Sequence, residues 1–260
     1  MPYININQLK IFYLENNTSG LPLFFIHGWL GNSFEWLNQL CYFNTTDHVI
    51  SLDLPGFGKS DKPKTSYSID FFSDLILNFL ETLGYDEVIL IGHSLGGLIA
   101  QDIVFKKPTI VKRLILISTS NTFSRSLRER FILFWVKIFF ELNYKNFLKN
   151  IIKQILSTNY ENREFKRHYN KALKIPKFVV LNTFKNMTSN MINDHQLSSI
   201  KQPTLIIYGR EDKIISKSKF NNLENLINAS EVHVIKNSHH RVMVENYTKV
   251  NKLIENFIRK

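Results

Sequence analysis

The six residues Gly92-His93-Ser94-Leu95-Gly96-Gly97 constrain the fold of this chain more than any other stretch. They follow the apolar run Val88-Ile89-Leu90-Ile91 and open a helix-like stretch at 98–105. A buried strand must therefore pass through a sharp turn straight into a helix, with Ser94 at the apex. The positions two residues to either side of such a serine must be small, and they hold Gly92 and Gly96. Ser94 then projects at a strand end beside the positive N-terminus of a helix. The first amide of that helix, on Leu95, can point toward a developing oxyanion. Ser94 is accordingly a candidate nucleophile.

The rest of the chain supplies the sheet that such a strand needs. Short apolar runs at 21–26, 48–54, 87–91, 113–117 and 204–208 read as strands buried on both faces, with a weaker one at 231–235. Helical stretches lie at 33–42, 68–83, 95–106, 217–226 and 242–258. This alternation predicts an α/β fold, a mostly parallel twisted sheet with helices on both faces. Residues 3–14 alternate apolar and polar and predict an edge hairpin. One interval departs from the rhythm. Residues 119–202 contain no convincing strand, but carry Phe-, Leu- and Ile-rich helical patterns at 131–142, 147–156 and 178–184. Because the strand pattern resumes at 204, the expected organisation is a single globular unit. Its core comprises 1–118 and 203–260, and a helical cap is inserted at 119–202.

Composition narrows the class further. No run of about 18 apolar residues is present, which argues against a transmembrane helix. The first ten residues lack the basic and apolar regions of a secretory signal. The single cysteine, Cys41, has no partner for a disulfide and no companions at metal-ligand spacing, so a buried, inert thiol in a cytoplasmic protein is expected. The net charge of +11 is unevenly spread, since 121–195 holds 14 Lys/Arg against 5 Asp/Glu. A solvated helix face is the default account of such charge. An excess of one sign also attracts anionic partners. No nucleic-acid-binding motif accompanies it. A membrane surface is compatible with the neighbouring aromatic residues. An acidic acyl carrier protein would fit both the charge and the apolar segment 131–140. That segment reads first as packing of the cap onto the core, with a partly apolar pocket expected overall and Phe134 and Trp135 as substrate-contacting candidates.

Two further motifs stand beside the serine turn. Phe24-Phe25-Ile26-His27-Gly28-Trp29 places a His-Gly pair directly after a strand, and Asp53-Leu54-Pro55-Gly56-Phe57-Gly58-Lys59-Ser60 follows another. Together the three resemble the α/β-hydrolase superfamily over nearly the whole chain. The resemblance implies a second oxyanion amide from Trp29, which would also border the substrate. It leaves 53–60 as a structural loop and His27 as an orienting hydrogen-bond residue. It also implies the chain order serine, acid, histidine. Tyr208-Gly209-Arg210-Glu211-Asp212-Lys213 is similar to the family's acid loop, giving Asp212, with Glu211 as the neighbouring alternative. A position one strand earlier is closed, because 118–128 contains no carboxylate. His239 and His240 are adjacent. The family register Gly-His-x-x-x-x-Glu, counted back from Glu245, selects His240 and puts His239 where glycine is usual. His48, His168, His195 and His233 read as surface or structural.

The roles follow from the residue types. His240 would take the Ser94 proton, Asp212 would orient the imidazole, and the amides of Leu95 and Trp29 would hold the oxyanion. Such chemistry needs no metal and no cofactor. An aspartate at 94 would have implied dehalogenase or epoxide-hydrolase chemistry. Serine implies carboxylic-ester hydrolysis, with thioesterase, lactonase, C–C hydrolase and a non-catalytic ligand binder as alternatives.

Overall fold

An eight-stranded sheet organises the protein, ordered β1-β2-β4-β3-β5-β6-β7-β8. The strands are β1 (Tyr3–Ile6), β2 (Leu9–Glu15), β3 (Leu23–Ile26), β4 (Val49–Leu52), β5 (Val88–His93), β6 (Val111–Ile117), β7 (Thr204–Gly209) and β8 (Ser230–Ile235). The β1–β2 and β2–β4 pairs are antiparallel, and every pair from β4 to β8 is parallel. The computed structural model describes residues 2–16, 18–121, 143–156, 163–189 and 192–260. The expected edge hairpin turns at Asn7 and Gln8, whose φ of 49° and 67° suit a tight two-residue connection.

Strand side chains alternate, so adjacent residues feed two separate cores. Phe24, Ile26 and Leu90 pack on one face with α2 (Ile69–Thr82) and α3 (Leu95–Lys106), through Phe72, Phe79 and Ile99. Phe25, Ile91 and Ile207 pack on the other, against Trp36, against Leu40 of α1 (Leu37–Phe43), and against Ile254 and Phe257 of the C-terminal helix. Phe24 and Phe25 are both fully buried, which is why the strand reads as a continuous apolar run.

Several local expectations are corrected. The stretch 33–42 is a 3-10 turn, Ser33–Trp36, capped by Asn32 and followed by α1. Cys41 is exposed, because α1 packs through Leu40 and Phe43 and leaves Cys41 on its outer side. The expected helix 242–258 is two helices, Val242–Glu245 and Tyr247–Ile258, parted at Asn246 with φ −132°. Glu245 ends the first of these helices, and its Oε2 accepts the His239 N–H at 2.7 Å. Strand β4 ends at Leu52, because Asp53 turns inward to accept the Ser33 and Lys59 amides, both at 2.7 Å.

Between β6 and β7 the described residues form only helices: α4 (Tyr144–Leu156), α5 (Arg163–Leu173), α6 (Lys177–Ser189) and α7 (Asp194–Ser198). Phe147, Leu148, Val179, Val180 and Phe184 of this insertion join the core under α2 and α3. The pattern at 131–142, with Phe134 and Trp135, lies outside the described residues. The remaining helices are α8 (Lys217–Leu226), α9 (Val242–Glu245) and α10 (Tyr247–Ile258). Among the described residues no helix is long and apolar enough to cross a membrane. Strand β3 leads on to β4 on one side, whereas its other neighbour β5 leads on to β6 on the opposite side, so the order reverses between β3 and β5. A crevice is expected at their carboxyl ends.

Candidate active site

Ser94 stands at that crevice, with φ 51° and ψ −113°, a costly conformation for a residue with a side chain. The turn is held from several sides. A Cβ on Gly92 would strike the Gly96 carbonyl, and one on Gly96 would strike the carbonyl of Ile26 in β3. The Ser94 amide donates to Ile117 O at 3.0 Å, and Thr119 Oγ1 donates to Ser94 O at 2.7 Å. Strain at this position is thus over-determined by its neighbours.

His240 Nε2 lies 3.0 Å from Ser94 Oγ, and its Nδ1 lies 2.9 Å from Asp212 Oδ2. The carboxylate can hold the Nδ1–H tautomer, leaving Nε2 to accept the serine proton. Asp212 Oδ1 accepts the Ile214 and Ile215 amides at 2.8 and 3.1 Å. Burial raises the Asp212 carboxyl, but the His240 charge and these hydrogen bonds outweigh it, and the group is held below the usual carboxylate value. Glu211 points elsewhere and accepts the Ser238 amide at 2.9 Å, bracing the loop that carries the histidine. His239 turns to Glu245, at 3.0 Å from its Nδ1. Of the two adjacent acids and the two adjacent histidines, Asp212 and His240 are the pair that meets Ser94.

Leu95 is the first residue of α3, so its amide has no acceptor within the helix. The loop after β3 presses on the serine, since a Cβ on Gly28 would stand 3.3 Å from Ser94 Cβ. His27 Nε2 accepts the Leu54 amide at 3.0 Å, and Nδ1 donates to Gly28 O at 2.8 Å. This imidazole ties the loop to the start of the 53–60 segment and leaves Trp29 beside the site.

A chamber of about 200 Å³ opens above Ser94 and His240. Its walls come from Trp29 and Ile214 of the core, Ile151 and Ile155 of α4, and Phe184 and Met187 of α6. The rings of Trp29 and Phe184 lie 5.4 Å apart. Such a space is mostly apolar with a polar floor.

The alpha/beta hydrolase fold family matches residues 22–247. This chain belongs to that family. Among its relatives, the pimeloyl-[acyl-carrier protein] methyl ester esterase of Wigglesworthia glossinidia brevipalpis is 31% identical, covering 97% of this chain and 99% of that one. Epoxide hydrolase 1 of Caenorhabditis elegans is 26% identical over 99% of this chain and 70% of its own length. Among solved structures, Est816, described as an N-acyl homoserine lactone degrading enzyme, superposes with a TM-score of 0.85 at 26% identity, covering 98% of this chain and 100% of that one.

Two features of this α/β hydrolase escaped the sequence. On the helical side the chamber walls come from Ile151 and Ile155 in the pattern 147–156, Phe184 at the end of 178–184 and Met187 beyond it, but no local signal marks which helix face turns inward. Glu35 is the second. It sits in the 3-10 turn after β3 and lines the chamber, its Oε2 3.8 Å from His93 Nδ1. Burial would raise its carboxyl, yet His93 and the Arg241 charge outweigh burial and lower it to about 2. His93 in turn donates Nε2–H to the His240 carbonyl at 3.0 Å, and burial holds its pKa below the ordinary imidazole value. A charged residue between Phe34 and Trp36 carries no recognisable motif, so only the fold reveals it.

Proposed function

We propose that this α/β hydrolase cleaves a carboxylic ester through an acyl-enzyme formed on Ser94. The observation that carries the reading is the unbroken chain from Ser94 Oγ to His240 Nε2 and from His240 Nδ1 to Asp212 Oδ2, at 3.0 and 2.9 Å. His240 takes the Ser94 proton as the alkoxide attacks the acyl carbon, and Asp212 stabilises the imidazolium. The amides of Leu95 and Trp29 face the oxyanion of the tetrahedral intermediate. Collapse expels the alcohol, protonated by His240. Water, deprotonated by the same imidazole, then releases the acid.

A fluorophosphonate probe tests this directly. Covalent labelling that disappears in Ser94→Ala supports the enzyme reading. An unlabelled, folded protein would instead be a ligand binder on the same scaffold.

A narrower substrate follows from the 31% identical relative together with the basic insertion. The ester of choice is a methyl ester on an acyl carrier protein, of the pimeloyl kind, docked through the positive charges of residues 121–195. Hydrolysis of one methyl ester, free and carrier-bound, at low and high salt tests it. Preference for the carrier form that fades with salt is expected. Equal, salt-insensitive rates would leave a small-ester esterase. The likeness to Est816 supports a lactone as the second reading, read out by opening of an acyl homoserine lactone.

A further inference from the structure

A second concavity lies across the Leu30–Gly31 turn from the catalytic chamber. Its larger part, about 310 Å³, lies between the 53–62 loop of the core and the end of α5, and is lined by Lys59, Lys62, Lys171 and Lys174. A smaller adjoining part of about 150 Å³ shares Lys171 and adds Arg167 and Arg241. Six cationic side chains thus line one groove, with Asp53 and Glu35 as its carboxylates, an excess of four positive charges.

These two carboxylates offset only part of that charge: Arg241 supports the ionised Glu35, and both carboxylates support the Lys171 ammonium. Asp53 is occupied by the Ser33 and Lys59 amides, and Glu35 is turned to His93 and the chamber. The cations crowd one another. Partial burial, with the charges of Arg167 and Arg241, pushes the Lys171 ammonium below its usual value, against the opposing pull of Asp53 and Glu35. Burial also lowers Lys62, although Asp53 and Asp61 oppose it. Crowded ammonium groups around a concave space are stabilised by a compact, multiply charged anion. Apolar Leu30, Phe34 and Ile175 border the same space, and Phe34 is 39% exposed. The lining therefore suits a ligand with a charged head and a short apolar stem.

We propose that this groove is a phosphate subsite, which takes the phosphoryl group of a phosphorylated ester between the 53–62 loop and α5. Glu35 lines both the groove and the chamber, and Arg241 follows His240 directly, so the two spaces share a wall. A phosphate seated here anchors the substrate close to Ser94. The substrate role rests on the ester-hydrolase reading, whereas phosphate binding does not.

The test uses the full chain and Lys171→Glu/Lys174→Glu, with Lys171→Gln/Lys174→Gln as a milder partner; neither pair touches Ser94, Asp212 or His240. Titration calorimetry with inorganic pyrophosphate at low salt should show saturable binding, weakened at least about 10-fold by charge reversal and less by neutralisation. Sedimentation with phosphatidylglycerol against phosphatidylcholine vesicles distinguishes a lipid headgroup from a soluble phosphate ester as the source. Binding to either phosphate source that is lost in the variant supports the subsite. Absence of both, or equal binding by variant and parent, overturns it. In kinetics, charge reversal should raise KM at least about 10-fold for the butyrate ester of glycerol 3-phosphate, with monobutyrin unchanged. If pyrophosphate binds and neither ester turns over, the ester reading falls and the subsite stands. If both esters turn over and no phosphate source binds, the reverse holds.

Discussion

At the scale of single residues, the proposed chemistry rests on Ser94, His240 and Asp212, and Glu35 lines the same chamber as Ser94 and His240. Removing the proposed nucleophile in Ser94→Ala is expected to lower kcat for a chromogenic ester by about 10⁶-fold, while Asp212→Asn, which would lose the proposed tautomer control, is expected to cost about 10⁴-fold. Both are checked by single-turnover kinetics alongside unchanged circular dichroism. Glu35 offers a pH signature. Its carboxyl is lowered from 4.5 to about 2, so its ionised form contributes stability that is complete above pH 4.5 and is lost as pH falls toward 2. Glu35→Gln should therefore lower Tm at neutral pH, and the gap to the parent should close as acid is added across that window. A gap that stays constant would mean that the carboxylate charge contributes nothing there.

At the scale of elements, the junction of β5 with α3 has the least tolerance. Gly96→Ala places a methyl against the Ile26 carbonyl of β3, which belongs to a rigid sheet. A loss of about 3 kcal/mol in urea unfolding is expected, since neither partner can retreat without moving the sheet. The chamber wall is more permissive. Met187→Ala on α6 opens the space above Ser94 and is expected to shift acyl-chain preference toward longer chains by about 10-fold in kcat/KM. An unchanged preference would mean that α6 does not contact the acyl group.

Over the whole molecule, distant parts of the chain close on one another through buried polar contacts. Gln39 of α1 donates to the Met243 carbonyl at 2.9 Å and to Asn251 Oδ1 at 2.8 Å, joining residues more than 200 positions apart. Asn251→Ala leaves one N–H of this buried amide without its acceptor and should cost about 1–3 kcal/mol, measured by urea denaturation. The sheet has the same closing role at the site. Ser94 follows β5, Asp212 follows β7 and the His240 loop follows β8, so the parallel order β5-β6-β7-β8 is what brings three distant segments to one edge.

Much of this was legible in one dimension. Strands buried on both faces leave continuous apolar runs, and a serine between two close-packed glycines leaves a motif, because both constraints fix residue size and polarity at consecutive positions. The strands, the parallel sheet and the candidate Ser94 could be read in that way, whereas Asp212 and His240 were implied by the resemblance to the α/β-hydrolase superfamily. Other features depend on which surfaces meet after the chain has closed. Cys41 faces outward because of the side on which α1 packs, and Glu35 enters the chamber because a 3-10 turn swings it beside His93. Lys59 and Lys62 come to share a groove with Lys171 and Lys174 because α5 lies over the loop after β4. Periodicity carries the direction of a side chain relative to its own element. Only long-range packing gives it a neighbour from a hundred residues away.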